Sequence, residues 1–320
     1  ILGQTDKPAS ATQGNLFATY TNASDADIEK VRKKYSVAKK DINSLEHDYQ
    51  LIDTAKGRAE LVRKLEKQKF FSFDTETTHI DANIAELVGL VFSYEEGVAY
   101  YVPVPEDKDT AIAISAEFKG VLEDPSIELI GQNIKYDALI MKWYDVELAG
   151  QLFDTMIAHY LCEPDLRHKL DYLAESYLDY KMVPITDVIG KAGKNQLTMR
   201  DVEIGKVKEY AGEDADMTLR LKAPFTEMLE ENMILDLYHT IEAPLIKVLT
   251  DLEYEGVRIN REFLEDYSKT LGGMIDSIEK DIYTDAGVQF NIGSPKQVGQ
   301  VLFEKLEIPY RWRKTSSGQY

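Results

Sequence analysis

The stretch Phe70-Phe71-Ser72-Phe73-Asp74-Thr75-Glu76-Thr77, FFSFDTET, decides how the rest of the chain is read. Its aromatic and small residues predict a β-strand. Side chains two apart in a strand share a face. Asp74 and Glu76 should therefore project side by side near the end of that strand. Two carboxylates ~4 Å apart repel by roughly 4 kcal/mol at an effective dielectric of 20. Solvent, a shared proton or a cation must offset that repulsion. Alone, the pair also fits a strand end that frays into water with both acids solvated.

Working outward, AELVGLVFSY (85–94) and GVAYYVPVP (97–105) predict two more strands joined by a hairpin turn at YEEG (94–97). ISAEFKGVLED (114–124) predicts a helix and IELIGQN (127–133) a fourth strand. Helical patterns then dominate, at 135–145, 153–163, 169–179 and 199–232. A strand meander followed by strand–helix alternation predicts an α/β fold with a mixed sheet flanked by helices. Before it, residues 1–24 read as a linker, and 25–40 and 54–68 as helices, with Leu61 and Leu65 on one face. A boundary is placed near residue 232. Beyond it the pattern is mainly helical, with a Gly-containing hairpin at LEYEGVRINREFL (252–264) and a long helix at 265–287. Ser294-Pro295 is expected to open a further helix, Ser as N-cap and Pro in the first turn.

Bulk properties narrow the function classes. Hydrophobic content of 44% over 320 residues supports real cores, about two domains' worth. No apolar run approaches the ~20 residues needed to span a bilayer. A single cysteine, Cys162, excludes an internal disulfide framework and fits a reducing compartment. Residues 1–68 hold 12 Lys and Arg against 10 Asp and Glu, whereas 69–320 hold 25 against 46. An acidic body argues against broad, counterion-driven duplex binding, but not against local, metal-bridged grip on a short strand. The chain opens ILGQTDKPAS without an initiator Met and stops at KTSSGQY, which reads as a piece of a longer protein.

Two further acids join Asp74 and Glu76. Asp137 in IGQNIKYDAL lies near a strand-to-helix junction, and reads equally as a helix cap or a ligand. In EYAGEDADMTLRL, Tyr210 and Asp214 are four apart and share a helical face. Alone, Tyr210 also fits an amphipathic core tyrosine. Glu209, Glu213 and Asp216 are expected to face solvent. Together the four acids form a hard, oxygen-only set suited to Mg²⁺ or Mn²⁺. Two such ions ~3.5–4 Å apart can flank a phosphodiester. No nucleophilic side chain is then needed. His47, His79, His159, His168 and His239 show no zinc spacing, and GKAGKN (190–195) lacks the nucleotide-binding loop pattern.

FDTET, GQNIKYD and YAGEDAD, in this order, resemble the three motifs of the 3′–5′ exonuclease domain of family-A DNA polymerases, in the subclass with a tyrosine in its third motif. GKAGKNQLT (190–198) and FDTMIAHYL (153–161) resemble that domain too. IEAPLIKVLTDLEYEGVRIN (241–260) and FNIGSPKQVGQVLFEKLEI (290–308) resemble the opening of the polymerase domain. The resemblance implies a ribonuclease H-like exonuclease domain over 25–232 and the truncated start of the polymerase thumb over 233–320. It implies a bacterial cytoplasmic, nucleoid-associated monomer that cuts the 3′ end of single-stranded DNA with two divalent metals, away from any membrane. Asp74 would be shared by both metals. Glu76 and Asp214 would hold the metal that activates water. Asp137 would support the second metal through water, and Tyr210 would orient the attacking water. Asn133, Gln196 and Met199 would touch the strand. Met199 stands where the family often has an aromatic, so thioether packing would replace a stacking contact. The alternatives are an RNA exonuclease of the ribonuclease D type and a non-catalytic brace of the polymerase.

Overall fold

FFSFDTET lies at the heart of a six-stranded mixed sheet. The computed structural model describes residues 38–309. The expected linker, and all but the end of the first expected helix, lie outside them. In chain order the elements are β1 (Lys40–Asp41), β2 (Asp48–Leu51), α1 (Ala55–Leu65), β3 (Phe70–Thr77), β4 (Leu87–Glu95), β5 (Val98–Pro103), α2 (Lys108–Glu117), α3 (Lys119–Leu122) and β6 (Glu128–Gly131). Then come α4 (Ile134–Lys142), β7 (Leu152–Asp154), α5 (Thr155–Cys162), α6 (Leu170–Leu178), β8 (Tyr180–Lys181), α7 (Ile185–Ile189) and α8 (Ile204–Glu231). The last are α9 (Leu235–Leu237), α10 (Ala243–Glu255), α11 (Arg261–Ala286) and α12 (Pro295–Gln300).

The sheet order is β2-β5-β4-β3-β6-β7. The β3–β4–β5 meander is antiparallel, and the remaining pairings are parallel. The turn at Glu95–Val98 joins β4 to β5, as YEEG predicts, with Gly97 at φ 79°. Alternation along β3 sends Phe71 and Phe73 into a core shared with Leu61 and Leu65 of α1 and with Leu139 and Ile140 of α4. Phe92 links Phe73 (5.4 Å between ring centres) to Phe118 (4.9 Å, stacked). Truncating such a buried phenylalanine to Ala costs about 3–5 kcal/mol.

Helix α8 lies across the sheet against β2 through β6. Small residues allow a close approach: Ala211 and Ala215 are fully buried against Val91 and Tyr101. Between them sits Gly212, where an added Cβ would stand 2.6 Å from the Tyr49 ring. Side chains between layers at that separation leave no room for even a methyl group.

Two readings need revision. β7 and the edge strand β2 escape sequence detection, because three and four residues carry too little periodicity. The expected hairpin at 252–264 carries no paired strands. α10 instead ends at Gly256 (φ 69°), and α11 starts after Asn260, whose side chain caps the Phe263 N–H at 3.0 Å. Chain packing runs through the expected break near residue 232: one compact unit extends to Gly256 and a second begins at Val257. The reason is apolar. Tyr238 and Ile246, C-terminal to 232, are buried in the cores of the first unit. In the second unit, the Ser294 hydroxyl accepts from the Gln297 N–H, with Pro295 in the first turn of α12.

Candidate active site

The end of β3 offers two faces to two helices. Thr75 faces α4, where its N–H and hydroxyl donate to Asp137 Oδ1 at 2.9 and 2.6 Å. Asp74 and Glu76 face α8. There Asp74, Glu76 and Asp214 bring one carboxylate oxygen each to within 4.8 Å of one another. Asp137 is not part of that trio. It is buried on the α4 side, yet close enough for the Asp74 charge to act on it. The side chain of Asp137 is no helix cap. Asp154 at the end of β7 serves there, accepting from the N–H groups of Asn133 (3.1 Å) and Ile134 (2.9 Å) at the start of α4. It also accepts from Met156 at the start of α5. One buried acid thus caps two helices.

The electrostatics are those of negative charge without counter-charge. Among the described residues, no Lys or Arg forms an ion pair with Asp74, Glu76, Asp137 or Asp214. Burial pushes the Asp74 carboxyl up to about 7. Burial also raises Glu76 well above the carboxylate range, helped by the charges of Asp74, Asp214 and Asp137. Asp214 rises through burial and then Asp74. Asp137 rises for the same two reasons, against the pull of its bonds from Thr75. The Tyr210 hydroxyl is a hydrogen-bond partner of Asp214, and burial keeps it protonated. An oxygen-only donor set, half-buried and unpaired by protein cations, fits a hard divalent cation.

Two clefts open beside the trio. The larger, about 660 Å³, is lined by Glu76, Asn133, Tyr136, Gln196 and Met199 among others. The three residues expected to touch a strand therefore share a wall with one of the acids. Asn133 is exposed and left-handed (φ 62°), and Gln196 is exposed, whereas Met199 is only 6% accessible and offers little surface for stacking. Ile80, 92% exposed, sits at the lip. Tyr136 donates to the His79 carbonyl at 2.5 Å and contacts the Thr77 hydroxyl at 2.6 Å. Nothing local in the sequence marks Ile80 or Tyr136; the folded loop after β3 brings Ile80, and α4 brings Tyr136, to the cleft. The smaller cleft, about 210 Å³, is lined by Lys169, Asp171, Val183, Ile185, Tyr210 and Asp214 among others.

Glu213 and Asp216 do not face solvent as expected; both are fully buried. Glu213 accepts from the Tyr180 hydroxyl and the Val183 N–H, both at 2.8 Å. Asp216 accepts from Tyr49 (3.0 Å), the Gly97 N–H (2.9 Å) and Arg220 (2.8 Å). Because α8 is covered on several sides, its charged residues must find partners inside. Glu209 is partly exposed and pairs with His47 at 3.0 Å.

This geometry agrees with what the chain is similar to. The family description 3′–5′ exonuclease matches residues 49–230. The chain belongs to that family, the exonuclease of the family-A DNA polymerases. The description DNA polymerase family A matches residues 261–320 of this exonuclease chain. DNA polymerase I of Pseudomonas aeruginosa is 38% identical over 285 residues, covering 86% of the chain and 31% of that relative. DNA polymerase I of Borreliella burgdorferi is 35% identical over 285 residues, covering 87% and 31%. The chain thus spans 31% of the length of these relatives. Among solved structures, the POL domain of Pol1 from M. smegmatis in complex with DNA primer-template and dNTP aligns over 85% of the chain and 43% of its own. Its TM-score is 0.65 at 22% identity. Brucella melitensis NrnC with bound Mg²⁺ aligns over 66% and 95%, with a TM-score of 0.53 at 18% identity. At those identities the likeness is one of fold: the mixed sheet flanked by helices is that of a ribonuclease H-like exonuclease, followed by a helical segment.

Proposed function

We propose that this exonuclease domain removes nucleoside monophosphates from the 3′ end of a frayed DNA strand, as the proofreading part of a bacterial DNA polymerase I. The observation that carries the reading is the meeting of Asp74, Glu76 and Asp214 at the edge of a cleft, with no protein cation paired to them. Two divalent cations bound there, Mg²⁺ or Mn²⁺, would supply an activated water and charge neutralisation at the phosphodiester. The chain's own residues do the rest. Asp74 would serve both cation positions, Glu76 and Asp214 would hold one, and Asp137 would support the other. The Tyr210 hydroxyl, held by Asp214, orients the attacking water toward phosphorus. Asn133, Gln196 and Met199 hold the terminal nucleotides in the larger cleft. Selectivity comes from melting, because a mispaired end costs less to unstack.

The domain acts as one part of a monomeric polymerase chain in the bacterial cytoplasm, at the nucleoid, and its DNA partner is the primer strand. Residues 25–232 are assigned to the exonuclease and 233–320 to the start of the polymerase domain, with the first compact unit carrying on past that assignment to Gly256. No helix among the described residues is long and apolar enough to cross a membrane. The test is digestion of a labelled single strand with Mg²⁺ or Mn²⁺. Wild type should release mononucleotides from the 3′ end, and Asp74→Ala should release none. Equal activity of the two would overturn the reading. RNA is the comparison substrate; faster cleavage of RNA than DNA would favour the ribonuclease reading.

A further inference from the structure

We infer that Glu213 is a positioning residue that moors one wall of the substrate cleft to the helix carrying Tyr210 and Asp214. The inference rests on the exonuclease reading and goes beyond its metal ligands. Glu213 is fully buried and contacts no cleft itself. Its two carboxylate oxygens are divided between two partners. Oε1 accepts from the Tyr180 hydroxyl and Oε2 from the Val183 N–H, both at 2.8 Å.

Val183 lies within the wall and Tyr180 just before it. Met182, Val183, Pro184 and Ile185 line the smaller cleft opposite Tyr210 and Asp214. Ile185 begins α7, and Ile185 and Ile189 line the larger cleft as well. Helix α7 is only five residues long and buries none of its side chains. Pro184 cannot donate a backbone hydrogen bond. Buried Met182 packs against Met217 of α8 at one end of the wall, and the Val183 bond is the hydrogen bond that ties 182–189 to α8. A charge-assisted bond of this kind is stronger than a neutral one. Without it, 182–189 should drift while Asp74, Glu76 and Asp214 keep their places on β3 and α8. Loss of Glu213 should therefore weaken strand binding more than chemistry.

The experiment measures kcat and KM on a single-stranded oligonucleotide at saturating Mn²⁺, with amide hydrogen exchange over 182–189. Glu213→Ala should raise KM by about fivefold or more, keep kcat within about twofold, and speed exchange at Val183. Glu213→Gln can accept from Val183 and donate to Tyr180, and should return KM to within about twofold of wild type. Tyr180→Phe, a milder change, should raise KM in the same direction and decides the matter if Glu213→Ala does not fold. Unchanged KM and exchange in the folded Ala and Phe variants would overturn the inference. So would a Gln variant as impaired as Ala. Inactivity of the wild type itself would instead sink the exonuclease reading and leave the exchange result to judge the mooring.

Discussion

Thr75 holds Asp137 by two hydrogen bonds to one oxygen, from its N–H at 2.9 Å and its hydroxyl at 2.6 Å. Asp137 therefore takes its position from the residue between Asp74 and Glu76, although it comes from a helix on the other side of the strand. Removing the hydroxyl while keeping the shape leaves the buried Asp137 with one bond fewer. Thr75→Val should cost about 1 kcal/mol of stability and lower exonuclease kcat by about three- to tenfold. Urea unfolding and single-strand digestion check the two halves.

Metal-free stability should fall as pH rises. Burial lifts folded Asp74 from its ordinary 3.8 to about 7, and Glu76 and Asp214 shift the same way. Between those values the folded state keeps protons that the unfolded chain has released, so raising pH favours unfolding. A cation must displace those protons, so its stabilising effect grows over the same range. Melting curves with chelator should drop between about pH 4 and about pH 7, and the shift produced by Mn²⁺ should widen. A chelated protein that becomes more stable over that range would contradict this.

Gly212 is required by contact. Its Cβ would meet the Tyr49 ring at 2.6 Å, with Tyr49 hydrogen-bonded to Asp216 and unable to swing away cheaply. Gly212→Ala should destabilise the fold by about 1–3 kcal/mol, measured by urea unfolding. Because Asp214 lies two residues on, activity should fall with it.

In the proposed mechanism Tyr210 would orient water and would not itself take a proton, since burial keeps its hydroxyl protonated. Tyr210→Phe should lower kcat by about tenfold, well short of the loss expected for Asp74→Ala. Rapid-quench single-turnover digestion separates the two.

Much of this site was legible because it rests on local periodicity. Alternation in FFSFDTET put Asp74 and Glu76 on one face, and four-residue spacing put Tyr210 and Asp214 on another. What escaped depends on neighbours far away in the chain. Glu213 and Asp216 looked like solvent-facing charges, since nothing local tells that Tyr180, Val183, Tyr49 and Gly97 close over α8. Asp137 was readable as an acid near a junction, but not as the partner of Thr75. β7 is too short to show a pattern, yet its Asp154 organises the starts of α4 and α5.

Calorimetric titration of the metal-free protein with Mn²⁺ tests most directly whether these acids form a cation-binding centre. Wild type should bind two ions, and Asp74→Ala, which lacks the carboxylate assigned to both, should bind neither with comparable affinity. Binding that is absent in wild type, or identical in the two proteins, would contradict the account.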